Sequence, residues 1–485
     1  MRPIASLAMA LLFSVACSEE SGDTAPTTTG AAGSGGAGAA GGTGGVGGSG
    51  GAGGGQPTIT DCSAVTCFFV RSDATGAGDG SDWTDAFLEL PDDLLRGAVY
   101  LVADGTYPGY TFDDEVDGDQ LISVKKATLT DHGTEDGWDT GFGDGVADHG
   151  PIAFHRSFYL FDGQVGGGRG AYRSGHGFRI HLTDGGMGIT VGAPYASEQE
   201  RLMDRSDITV QHVEVSGPAP PEPCRDTGGG GVAIAGGTDG HRNLTFSNLW
   251  LHDLAIGLHG SFAQQIVLED SCIERNASSS SCHSEGWAAW GPSEQVIVRN
   301  NLWSDIEGTA VIALGIADYW DVYHNVFTCA PGHPHGCGVG NGIIGTTDHA
   351  DQQANHWRVH HNVFVNLETS TLDLISSAAG IAEGNTAYNN IWLSNADGPS
   401  FGGVEHDYNW FYDNAGGADD EALAAGEAHG QLGAADPFVD WQGDDFHLTA
   451  PTEAGQSLAA PFDTDPDGAA RGADGTWDRG LYEYP

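Results

Sequence analysis

The chain has 485 residues, of which 67 are Asp or Glu and only 18 are Lys or Arg, giving a formal net charge of −49 at pH 7. This balance excludes nucleic acid as a partner, because binding it rests on neutralising phosphates with Lys and Arg, and the only lysines are Lys125 and Lys126. So large an acidic excess favours solubility in salty surroundings and divalent cations, and it repels acidic polysaccharide unless calcium or a local arginine cluster intervenes.

At the N-terminus, Arg2 precedes an apolar run from Ile4 to Ala16 that is too short to span a membrane and ends at Cys17; this is a secretory signal. Ser14-Val15-Ala16-Cys17 resembles a bacterial lipobox, with Ser14 where Leu is usual. The resemblance implies cleavage before Cys17 and lipidation of that cysteine. Residues 1–17 then form the signal, 18–57 a Gly/Ala/Ser/Thr-rich flexible tether, and 58–485 the folded body. The expected location is outside the cell, anchored to the outer membrane or cell surface by lipid alone, with plain secretion as the alternative.

Eight cysteines are present. Apart from Cys17, six fall into close pairs, Cys62 with Cys67, Cys272 with Cys282 and Cys329 with Cys337, and Cys224 is left over. In an oxidising compartment each pair could staple a loop, although spacing alone leaves the connectivity open. A cysteine metal site is disfavoured because no CxxC pair exists.

The body opens with "FFVRSDATGAGDGSDWTDAFLEL" followed by "AVYLVADGTYPGYTF". Alternation in "ISVKKAT" turns Lys125 outward. In "SGHGFRIHL" a strand puts Arg179 and His181 on one face; the guanidinium suits a uronate carboxylate and the imidazole a proton transfer near neutral pH, though a plain surface pair is the alternative.

From residue 206 a unit recurs: "DITVQHVEV", "NLTFSNLWL", "QIVLEDSCI", "QVIVRNNLW", "WDVYHNVF", "WRVHHNVF" and "NTAYNNIW". Aligned on one polar residue, the copies give His212, Asn248, Ser271, Asn301, Asn325, Asn362 and Asn390, with Asn409 as an eighth. Intervals of roughly 19 to 37 residues suit a solenoid whose strands stack in parallel and whose Asn residues form a ladder at a turn. Irregular placement of Asn-Gly and Asp-Gly argues against a β-sandwich.

A second strand closes on Gly in most coils: "GVAIAG", "AIGLHG", "GWAAWG", "AVIALG". Aligning Gly236, Gly260, Gly291 and Gly315 turns Ile234, Leu258, Ala289 and Ala313 inward and Ala235, His259, Trp290 and Leu314 outward. An outward Trp290 beside His259 reads as a sugar-stacking platform, unless a long loop covers it. His283 and Glu285, two apart at the start of the Trp290 strand, read as an acid-base or metal pair, or as a solvated strand start. Asp348, His349 and Asp351 in one loop, and Asp239 and His241 in another, offer carboxylates suited to calcium. Asp463 to Gly468 imitates a calcium loop, but Pro466 argues for a cap turn; a metal site at His333 to His335 is equally weak. No nucleophile elbow, phosphate loop or zinc signature appears.

The opening segment, together with "DPFVDWQGDDFHLTAP" and "DTDPDGAARGADGTWDRGLYEYP", resembles right-handed parallel β-helix proteins of the pectate-lyase-like superfamily, over nearly everything from Phe68 to Pro485. The resemblance implies an all-β, single-stranded right-handed parallel β-helix with a short amphipathic N-terminal cap helix over Asp82 to Leu95, interrupted at Pro91. It specifies activity poorly, since that superfamily contains lyases, hydrolases, epimerases and adhesins. The leading expectation is a polysaccharide lyase that cleaves uronate-containing glycans by β-elimination. Calcium or Arg179 would neutralise the carboxylate, with His181, His259 or His283 as the base and Glu285, Trp290 and Lys125 completing the site. Lyases of the superfamily often use Lys or Arg as the base, and this chain is poor in both. A non-catalytic glycan-binding or adhesin-like surface protein is the alternative, with a hydrolase or C5-epimerase also open. The expected partner is extracellular polysaccharide, and the expected state a monomer.

Overall fold

Short strands with alternating apolar residues bury one face only when they stack on neighbours. The computed structural model describes residues 59–485 except for 184, 195, 219–228, 239, 261, 278–283, 309, 333–336, 338–341, 347–352, 371, 375–381 and 416–419. In it the chain winds repeatedly through three sheets, A, then B, then C, and back to A. Among the described residues the sheets hold 13, 12 and 10 strands, paired in parallel. This is the all-β right-handed parallel β-helix expected from the repeats.

Inward residues stack coil on coil. Sheet B contributes the run Ile273, Trp303, Phe327, Phe364 and Trp392, whose rings lie nearly parallel, with Phe364 and Trp392 centroids 3.9 Å apart. Sheet A contributes Phe161, Val210, Phe246, Leu268, Val298 and Val322. All belong to one continuous buried core.

The A-to-B turn carries the amide ladder. From Asn301 through Asn390, each backbone N–H and each Nδ2 donates to the Oδ1 of the next Asn, at 2.9–3.1 Å. Ser271 joins from the front, its N–H donating to Asn301 Oδ1 at 3.0 Å. His212 and Asn248 stand elsewhere. They hold left-handed φ values of 56° and 51°, at the position one residue earlier that Asn300, His324 and His361 occupy in later coils. At the far end, Asn409 donates from N and Nδ2 to the two oxygens of Glu427, at 2.8 and 2.7 Å. A second ladder runs from Asn395 to Asn414 and ends on Asp420. Asp420 opens the helix Asp420–Gly426, and Glu427 follows it directly. A carboxylate accepts and does not donate, so it terminates a donor chain without leaving another donor to satisfy.

The N-terminal cap helix is not formed. Asp82 Oδ1 accepts from the N–H groups of Thr84 and Asp85, as at a helix start. Phe87 is then drawn into extended pairing with Phe69 and Arg71, and Pro91 blocks continuation. The segment instead buries Trp83, Leu90 and Leu94 through bends. At the other terminus, a hairpin of Phe438–Asp440 with Asp445–Leu448 and the closing residues Leu481 and Tyr482 pack on the outer face of sheet B. They cover Cys272, Leu302, Val326, Val363 and Ile391 there.

Disulfides join Cys62 to Cys67 and Cys329 to Cys337. The expected Cys272–Cys282 bridge is not made. Cys272 is a free, fully buried thiol, held on the outer face of sheet B between Trp250 and Leu302 and beneath the C-terminal segment. Cys17, Cys224 and Cys282 lie outside the described residues.

Candidate functional site

The Gly-closed strands form sheet C, but their glycines do not share one level. Backbone pairing sets Ala233 beside His259, His259 beside Ala288, and Ala288 beside Ala313. The outer row is therefore Thr190, Ala233, His259, Ala288, Ala313, Gly345 and Asp373. Leu314, expected outward, lies in the core level with Ala289. Trp290 falls beyond the strand end beside Gly315, where a Cβ would meet the Trp290 carbonyl oxygen at 2.2 Å. Close backbone approach, and not a common register, explains that glycine.

His259 and Trp290 still meet, edge to face, with centroids 6.4 Å apart. Trp290 is 40% exposed, whereas Trp287, three residues earlier, turns inward against Trp320. Burial pushes the His259 pKa below the ordinary 6.5, and the negative charge of Glu285 only partly offsets this. A neutral imidazole beside an exposed indole is thus present at neutral pH, able to accept a proton. Glu285 is fully buried. Asp373, which the sequence reading passed over because "LDL" has no strand signature, shares the outer row. It stands four strands from His259, roughly 19 Å at one strand spacing per step, too far to act with it.

Arg179 and His181 lie on sheet B, so the expected groove uniting them with His259, Glu285 and Trp290 is not formed. Alternation does put both side chains on the outer face. Arg179 is held bidentately by Asp148, at 2.5 and 2.9 Å, and that pairing raises its pKa. His181 Nδ1 lies 2.9 Å from Ser216 Oγ. Beyond them runs an ion network that the sequence did not suggest, because its members come from different coils. His252 contacts Asp253 at 2.6 Å and Glu214 at 3.3 Å, Arg275 grips Asp253, and Arg173 reaches Glu274 at 2.7 Å. Burial works against the charged form of His252, but its carboxylate partners outweigh this and raise its pKa. Lys125 is outward on sheet A, with Nζ 2.6 Å from Asp131 and 2.9 Å from Thr60 Oγ1, and serves to tie down the N-terminal segment.

His283, Asp239, Asp348, Asp351, His349 and His333 to His335 lie outside the described residues. Among the described residues, the group spaced to hold a metal is Asp305 with Cys329 and Cys337. Those cysteines are bonded to each other, and calcium requires oxygen ligands, so the group does not fit it. The Asp463 to Gly468 segment is a turn, with Asp465 accepting from the Ala469 and Glu483 N–H groups.

No family model and no curated protein matches the sequence. Among solved structures, the chain is similar to pectate lyase Pel9A over 88% of its own length and 100% of that chain, at 12% identity and a TM-score of 0.45. An alginate lyase from Paenibacillus sp. str. FPU-7 aligns over 66% of this chain and 93% of its own, at 10% identity and TM-score 0.35. The GH136 lacto-N-biosidase from Eubacterium ramulus aligns over 76% and 67%, at 12% identity and TM-score 0.33. Each is a distant likeness of architecture. None bears on the chemistry of this chain.

Proposed function

We propose that the chain is an exported, carbohydrate-active β-helix protein that takes an extracellular polysaccharide against sheet C. In this reading Trp290 stacks on a sugar face and His259 acts as the base. The observation that carries it is the pairing of an exposed indole, just past a strand end, with a neutral imidazole on the outer row of sheet C. On a uronate-containing glycan the reaction is β-elimination: the base removes the proton beside the carboxylate, and the glycosidic oxygen leaves as an unsaturated uronate forms. The two disulfides support an oxidising, exported setting, and anchoring through Cys17 belongs to the same proposal.

The test is incubation with alginate, polygalacturonate and chondroitin while following the ultraviolet absorbance of unsaturated uronates, with and without chelator. The chelator arm tests the calcium expected at Asp239, Asp348 and Asp351. Activity should be lost in His259→Gln, and its acid limb should lie below pH 6.5. Absence of new absorbance on every glycan, with binding retained, would establish the second reading, a non-catalytic glycan-binding surface protein. One observation favours that reading: Arg179, Lys125, Arg299 and Arg358 on the outer faces are each ion-paired with a carboxylate.

A further inference from the structure

The corner where sheet C turns into sheet A holds side chains that the His259–Trp290 pair does not use. There seven successive coils carry a left-handed residue: Phe158 at φ 66°, then Asp207, Asn243, Gln265, Gln295, Tyr319 and His356 at φ between 50° and 59°; Phe158 is half-buried. Asp and Asn tolerate that conformation; an aromatic residue does not gain from it. Tyr319 is nevertheless 52% exposed, so burial does not offset the strain. Its ring lies flat on His356, with centroids 4.6 Å apart and planes 17° from parallel.

Close in sequence to both exposed aromatics is a cleft of about 130 Å³. Phe262, itself left-handed at φ 69°, forms its apolar side with Pro292 and Ile316. Pro292 follows Trp290 by two residues and Ile316 precedes Tyr319 by three. Its polar side is the row Gln264, Glu294 and Asp318, level with one another on three consecutive strands. Asn355 Nδ2 donates to Asp318 Oδ1 at 2.9 Å. Like charges set level on neighbouring strands destabilise a sheet, and hydroxyl donors would relieve the Glu294–Asp318 pair.

We propose that this corner is a second carbohydrate subsite. It takes an uncharged pyranose unit, with one ring face on Tyr319 and hydroxyls donating to Glu294 and Asp318. Carboxylates accept hydrogen bonds and repel other carboxylates, so a uronate unit is excluded here. An acidic unit of a mixed polymer would lie toward the exposed Arg242, which stands level with Gln264 on the preceding strand. The inference rests on the reading of Trp290 as a sugar platform.

The experiment uses the full chain in affinity electrophoresis with four probes: an uncharged β-glucan, an uncharged xylan, gellan, which mixes glucuronate with uncharged units, and polygalacturonate. Tyr319→Asn suits the left-handed backbone, so it should keep or raise the melting temperature. It should also weaken binding to the uncharged or mixed probes about tenfold, the loss expected for one stacking ring, and Tyr319→Trp should restore it. Unchanged binding by Tyr319→Asn, with loss in Trp290→Ala, overturns the corner subsite and leaves the proposed function standing. Binding to polygalacturonate alone overturns the uncharged class. No binding of the parent chain to any of the four probes overturns the corner subsite, while the proposed function is then decided by the alginate and chondroitin arms of its own test.

Discussion

At the A-to-B turn, a left-handed residue such as Asn300 or Asn389 is followed by a buried amide bonded to its copies above and below. At the C-to-A corner, a left-handed residue such as Gln265 or Gln295 is exposed and has no such follower. Burial makes the difference. A buried polar group must find partners, so the first turn selects one side chain repeatedly. The second is exposed at Asn243, Gln265, Gln295 and Tyr319 and half-buried at Phe158, Asp207 and His356, so its residue type is free to drift, and Tyr319 stands out there as an aromatic that is exposed.

The largest test of this contrast is Asn362→Ala. It leaves the buried Asn325 N–H without its acceptor and removes the side-chain bonds to Asn325 Nδ2, Val322, His360 and Asn390, and should cost about 4 kcal/mol in urea unfolding at roughly 1 kcal/mol per bond. Gln295→Ala at the exposed corner should stay within about 0.5 kcal/mol.

Acid comes next. His324 and His361 sit buried at the A-to-B turn, where burial, and then the charge of Arg471, hold both pKa values well below 6.5. Each Nε2 faces a donor, Arg471 or Asn389. With the folded pKa depressed, the unfolded chain takes up protons first. Stability is therefore intact above pH 6.5 and lost progressively below it, by about 1.4 kcal/mol per pH unit for each imidazole until its folded pKa is reached. Urea midpoints at pH 7.5 and 5.5 should show this, and a His324→Asn/His361→Asn double variant should flatten the dependence. A double variant as acid-sensitive as the parent would place the effect elsewhere, for instance at His149 or His176, both held at about 4 by burial.

A smaller effect is expected at the ladder's end. Glu427→Ala removes the acceptor for both Asn409 donors and the 2.8 Å contact with His406, and should cost about 2 kcal/mol. The smallest is Tyr319→Asn, which should stabilise the fold by at most about 0.5 kcal/mol through relief of an unfavourable φ. A loss of stability there would mean that the Tyr319–His356 stack serves packing.

Much of the fold was legible, because alternation and the recurring Asn report directly on stacking. The ladder could be read from Ser271 onward. At the front the same spelling misled, since His212 and Asn248 are polar for a different reason, tolerance of the left-handed backbone one position earlier. The Gly-closed strands misled similarly: Gly260 and Gly315 are required by close backbone contacts at different levels, so aligning them shifted the outer row. His259 and Trp290 nonetheless came together, whereas Arg179 and His181 went to another sheet. No local pattern states which sheet a strand joins when loop lengths vary from coil to coil.

By itself, then, the sequence determined the periodic part of this protein: parallel strands and an amide ladder. These depend on local chemistry repeated at each coil. The tertiary structure alone decided which outward residues meet, that Cys272 is covered instead of bridged, and that two ladders end on carboxylates at the two ends of one short helix segment. Those outcomes depend on register between coils and on what the C-terminal segment covers, and both are contacts between residues far apart in the chain.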